Sequence, residues 1–342
     1  MVRASGMWPV DEERGWVGQT HRRTDAALGN GLRPQQASIV RGMLIGDRSR
    51  IPEETYEDFR RSGVAHILAI SGQHVAVLAA AVYFALRAFA VPAVVRNPST
   101  MALIWLYVLV AGAPPSALRA GFVATLALSA PLFGRQLSPL HFMTTMLAAV
   151  LSYNPALVYS TGFQLSVAAV FGILLFRKPL KSFVKSTVLR PFRRPSDLLL
   201  NLISISLAAQ VATAPIIAVN FEQVPVLGVF TNLAAVPLSA PILTLGFLGA
   251  SLGNVASALA YPLNVSNGFL VTLLEWTAGT VASVPFAAVE TTGATLPLVA
   301  LFYAGCVPGA VAESLLPESR WPMVAGLLLL WAGLWVSLVA VL

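Results

Sequence analysis

The chain has 342 residues, of which 56% are hydrophobic and only 11% charged. Soluble globular domains carry about 25% charged residues, so a water-soluble core of this size is excluded. The net charge of +7 is split unevenly: residues 59–195 hold thirteen Lys and Arg and no acid, whereas residues 196–342 hold six acids and one base, Arg320. Such a balance suits anionic headgroups, an anionic passenger, or topology alone.

Residues 1–33 are Gly-rich and aperiodic, which predicts a disordered or truncated leader. No apolar stretch precedes Val64, so insertion is expected to rely on the first internal span rather than on a cleavable signal peptide. Residues 34–63 read as amphipathic, interfacial helices. The second of these is well signalled, with Pro52 to open it, Glu53 and Glu54 in the first turn, Arg60 and Arg61 in the last, and Gly63 as a stop.

From Val64 to the C-terminus the chain reads as an all-α, polytopic membrane bundle with short and broken helices. The spans fall near 64–90, 100–113, 116–133, 138–151, 156–176, 198–219, 225–252, 255–285, 293–312 and 322–342. Between two of them, Gly112-Ala113-Pro114-Pro115-Ser116 forces the chain to turn or unwind. Unwound backbone at membrane depth is tolerated only inside protein or along a wet cavity. Seven bases, Arg177, Lys178, Lys181, Lys185, Arg190, Arg193 and Arg194, cluster in a segment (177–196) read as one loop, which the positive-inside rule places in the cytoplasm. Five spans before that loop put the N-terminal region outside.

Polar groups inside spans are functional candidates because each is costly in lipid. His66, Gln73 and His74 share a helical face next to Ser71 and Gly72, a stripe that would face the bundle interior or simply bond backbone near a helix end. Ser116 is a candidate N-cap after the double Pro, and Arg119 follows one turn later, either snorkelling to the interface or presenting a cation to an anionic passenger. Gln164 and Ser166 lie within one span and Gln210 within another, where amides commonly bond a neighbouring helix. Asn232 sits near Pro237, and Glu222 marks a loop.

Several chemistries have no signature. His21, His66, His74 and His141 make no HxH or HExxH pair, and Cys306 is alone, so neither metal nor cofactor is expected. There is no GxxxxGK[ST], and Ser71 with His74 lacks both a nucleophile elbow and an acid partner; no enzymatic activity is expected.

At these residues the sequence resembles the ComEC family of bacterial competence proteins. The matching blocks are Met43-Leu-Ile-Gly-Asp-Arg-Ser49, Gly63-Val-Ala-His-Ile-Leu-Ala-Ile-Ser-Gly-Gln-His74 and Ala113-Pro-Pro-Ser-Ala-Leu-Arg-Ala120. Further on come Asn154-Pro155 with Gly162-Phe-Gln-Leu-Ser166, and Ala208-Ala-Gln-Val-Ala-Thr-Ala-Pro215 through Asn232 to Pro237. Each block is weak alone; their order is specific. The resemblance implies a multi-pass channel in the bacterial cytoplasmic membrane that carries single-stranded transforming DNA inward. His66, Ser71, Gln73, His74, Ser116, Arg119, Gln164, Ser166, Gln210 and Asn232 would line its path, with Gly72, Pro114 and Pro115 at the breaks. It also implies partners: the lipid bilayer, a DNA receptor, a nuclease and a cytoplasmic motor, with room for a homo-oligomer.

The family usually has Leu where this chain has Gln73. Full-length members carry an upstream oligonucleotide-binding-fold domain and a downstream metallo-β-lactamase-like domain, which are expected elsewhere. Because a single strand bears about one negative charge per nucleotide, its lumen should be polar and free of acids without being densely cationic, as residues 59–195 are. The competing expectation is a secondary transporter that uses the broken helices as a midplane site for a small solute.

Overall fold

The computed structural model describes residues 16–133, 139–188, 196–254, 256–291, 293–315 and 317–341. Among them run thirteen α-helices: α1 (Trp16–Leu28), α2 (Pro34–Ile45), α3 (Glu53–Arg61), α4 (Gly72–Ala88), α5 (Ala93–Val110), α6 (Pro115–Ser129), α7 (Pro139–Tyr153), α8 (Thr161–Phe183), α9 (Asp197–Phe221), α10 (Gly228–Gly253), α11 (Ser257–Ala282), α12 (Leu296–Leu315) and α13 (Trp321–Val341). The strands are β1 (Gln223–Pro225) and β2 (Ala288–Glu290), paired antiparallel with Val224 opposite Val289. The ten expected spans correspond to α4 through α13. Five of these helices, α5, α8, α9, α10 and α13, are long and apolar enough to cross a membrane, and the chain is a multi-pass, all-α membrane protein. In α13, Leu327, Leu330, Leu334 and Leu338 are exposed along one ridge, as a lipid-facing side requires.

Two compact units divide the chain, the first comprising residues 1–56, 65–157 and 237–276 and the second residues 57–64, 158–236 and 277–342. In the first, α4, α5 and α6 pack on one another around Val75, Ile104, Val108 and Ala117. The Tyr107 hydroxyl donates to the Leu44 carbonyl at 3.0 Å, and its ring meets Phe247 edge-on at 5.4 Å. The second unit centres on α8, α9, α12 and α13. Phe302 and Trp335 meet at 5.2 Å, Trp335 Nε1 donates to the Leu298 carbonyl at 2.8 Å, and the Tyr303 hydroxyl donates to the Ala212 carbonyl at 2.8 Å. A Cβ on Gly172 of α8 would strike Ala212 and the Ala208 carbonyl, so glycine lets α8 and α9 approach closely.

The leader expected to lack order contains α1. His21 Nε2 lies 3.1 Å from the Val110 carbonyl, and Asp25 accepts from Arg41 at 2.6 Å, contacts too long-range in sequence for local periodicity to announce. Helix α2 is enclosed, with Ile39, Val40 and Met43 fully buried, and Gln36 Nε2 donates to the Gly268 carbonyl at 3.1 Å and to Thr272 Oγ1 at 2.8 Å. Helix α3 has the acidic first turn and basic last turn read from the sequence, and Gly63 adopts φ 81° where an added Cβ would meet Gly228 and Pro225.

Candidate functional site

The first polar segment is a break. Residues Ala65–Leu68 form a 3-10 turn with His66 exposed, and α4 begins only at Gly72, so His66 does not share a helical face with Gln73 and His74. The cause is local. Ser71, extended at φ −122° and ψ 172°, caps α4, and His74 at the third helical position reaches back: its Nδ1 accepts the Ser71 N–H at 3.0 Å and lies 2.7 Å from Ser71 Oγ. Histidine here fills the role that Glu or Gln takes in a capping box. An Nδ1 that accepts the backbone N–H carries no proton, so that nitrogen is committed to the cap. The ring is 1% exposed.

The second break is the double proline. Gly112 (φ 76°) and Ala113 (φ 51°) end α5 in left-handed backbone, where the Ala113 N–H donates to the Val108 carbonyl at 2.8 Å. Pro114 then caps α6 and Pro115 occupies its first position, which needs no N–H donor. Ser116 is therefore not the N-cap expected. Its hydroxyl instead donates to the Ile70 carbonyl at 2.5 Å, joining the double-proline turn to the Ser71 turn. Arg119, one turn further along α6, is 4% exposed and does not snorkel. Gln73 Nε2 donates to Ser239 Oγ of α10 at 2.6 Å. The first unit thus brings Ser71, Gly72, Gln73, His74, Pro114, Pro115, Ser116 and Arg119 around two unwound turns tied by one hydrogen bond.

The remaining candidates belong to the second unit. Gln164 Nε2 donates to the Val158 carbonyl at 3.0 Å, and Ser166 is half-buried on the same helix. Gln210 reaches a turn. Its Nε2 donates to the carbonyls of Pro225 at 2.8 Å and Val226 at 3.1 Å, pinning the turn between β1 and α10. Just beyond that turn, the buried Thr231 Oγ1 and Asn232 Oδ1 have no hydrogen-bond partner. Glu222 ends α9 in left-handed backbone and is exposed, as a loop acid should be.

The described residues 177–188 of the basic segment are helical rather than a loop, because α8 continues to Phe183 and a π-helical turn covers Val184–Val188. Arg177, Lys178 and Lys181 lie on α8 and Lys185 in the π turn. Lys181 pairs with Asp197 at 3.2 Å, and Lys178 sits 5.9 Å from the Trp321 ring centroid. Arg190, Arg193 and Arg194 lie outside the described residues.

A polar line on α11 was missed by sequence reasoning. Asn264 and Asn267 are fully buried; Asn264 Nδ2 donates to the carbonyls of Ala27 and Asn30, and both amide atoms of Asn267 are enclosed without a partner. Glu275, on the same helix, accepts from Gln35 Nε2 at 2.8 Å. The i, i+3, i+8, i+11 spacing of Asn264, Asn267, Thr272 and Glu275 was the available signal.

Residues 43–316 match the Competence protein family, and the chain belongs to that family. It is similar to ComE operon protein 3 of Bacillus subtilis (strain 168), 29% identical over 206 residues, which is 60% of this chain and 25% of that protein. It is also similar to the uncharacterized protein YcaI of Escherichia coli (strain K12), 26% identical over 214 residues, 59% of this chain and 27% of that one. The chain thus spans about a quarter of the length of each of these curated relatives. No solved structure matches.

Proposed function

We propose that this chain forms part of the inner-membrane conduit through which a single strand of DNA enters a bacterial cell during natural competence. The observation that carries the reading is the pairing of the Ser71 and Pro114-Pro115 breaks, inside a chain whose residues 43–316 match the Competence protein family. Broken helices free backbone groups and place polar side chains at depth, and a path for an anionic strand needs both without dense positive charge. Arg119 offers a single buried cation beside the breaks, suited to a passing phosphate that must also leave. The role is passage rather than chemistry: Ser71 and His74 Nδ1 are engaged in the helix cap. The strand's receptor, nuclease and motor would be separate functions of the competence machinery.

The test is transformation with a selectable marker in a strain lacking this chain. Loss of transformants with DNA still bound at the cell surface supports the reading. Normal entry of DNA into the cytoplasm contradicts it, and a lost growth phenotype on a small nutrient would favour solute transport.

A further inference from the structure

We propose that the pocket where the end of α4, the start of α5 and the end of α6 converge binds the headgroup of an anionic phospholipid, with Arg96 facing the phosphate. The cavity, of about 400 Å³, is lined by Tyr83, Arg96, Asn97, Leu128 and several alanines that keep it open. Arg96 has no acidic partner among the described residues. Its guanidinium lies 4.5 Å from the Tyr83 ring centroid, Nη2 donates to the Tyr83 hydroxyl at 3.1 Å and Nη1 to the Val91 carbonyl at 3.3 Å. These contacts fix the planar fork but use two of its five donors and neutralise none of its charge.

Asn97 is the second element. It is 5% exposed; Nδ2 donates to the Leu128 carbonyl at 2.9 Å, and Oδ1 is left without a partner. A fixed cation with no acidic partner among the described residues, lining an open cavity, fits the phosphate of an anionic headgroup such as that of phosphatidylglycerol. The rim favours a lipid over a nucleic-acid strand, because Phe84, Phe89, Val94 and Val95 around this end of the bundle are all exposed apolar side chains. Arg87 and Arg96 mark the same helix ends as cytoplasmic, the leaflet rich in anionic lipid.

The test uses the full chain, purified in detergent, delipidated and followed by native mass spectrometry with phosphatidylglycerol or phosphatidylcholine added in equal amounts. The chain retains phosphatidylglycerol preferentially; Arg96→Gln lowers that retention by about fivefold, and Arg96→Lys keeps part of it. Ala93→Trp fills the pocket while leaving the charge in place, and it loses retention equally, which keeps the test valid should the Arg96 variant misfold. Excess inorganic phosphate or a short single-stranded oligonucleotide leaves the bound lipid in place. Retention unchanged in a folded Ala93→Trp protein would overturn the proposal, as would displacement by phosphate, which marks a free-anion site, or by the oligonucleotide, which marks a nucleic-acid contact.

Discussion

The Ser116 hydroxyl donates to the Ile70 carbonyl at 2.5 Å, so one side chain from the double-proline turn satisfies backbone released by the Ser71 turn. Ile70 is 5% exposed, and its carbonyl has little recourse to water. Ser116→Ala should therefore destabilise the α4–α6 bundle by ~1–3 kcal/mol, the cost of an unsatisfied buried acceptor. A thermal unfolding midpoint in detergent that matches the parent protein would show that the two breaks are not held by this bond.

His74 acts as an acceptor at the third position of α4, so Gln or Glu should replace it and Leu should not. His74→Leu is expected to cost ~1 kcal/mol of helix stability and to reduce DNA uptake, while His74→Gln keeps both near parental levels. Equal uptake in the Leu and Gln variants at matched protein levels would separate the cap from transport.

Arg119 tests the passage of phosphate directly through its charge and shape. With membrane insertion checked in every variant, Gln should lower transformation roughly tenfold, the worth of one charge-assisted contact, Lys should retain part, and Glu should be worst. A well-inserted Glu variant with normal transformation would remove Arg119 from the path.

The membrane character, the helical segments and the boundaries of α3 were legible because each rests on local composition: apolar length, Pro52, the acidic and basic turns, Gly63. The meeting of Ser116 with Ile70 was not legible, since a hydroxyl's partner 46 residues away leaves no periodic trace. The His66 stripe failed for a definable reason. Continuous hydrophobicity cannot reveal that Ser71 turns extended and restarts the helix, although Ser-Gly-Gln-His carries the spacing of a capping box. Likewise α1 is ordered by Arg41 on the next helix and by Val110, whose separations of 16 and 89 residues from their partners leave no local trace.

Outside the spans, burial pushes the Asp47 carboxyl up, but hydrogen bonds from Ser49 and the charges of Arg41 and Arg50 outweigh it and hold the group below its ordinary value of 3.8. A depressed carboxyl stabilises the fold above its unfolded-state value and loses that contribution as pH falls through the folded one. Stability measured from pH 6 down to pH 2, a range of ~4 units, should thus decline at the acid end, and Asp47→Asn should flatten that decline while lowering stability at pH 6. Parallel curves for the two proteins would contradict the assignment.

The central claim is that DNA passes the buried polar turns. A diazirine amino acid placed at Leu118, beside Arg119, and separately at Leu106, on the exposed side of α5, can be photolysed while labelled DNA is entering competent cells. Covalent capture of single-stranded DNA at 118 and not at 106 is the predicted result; capture at neither position, or equal capture at both, during normal uptake would contradict it.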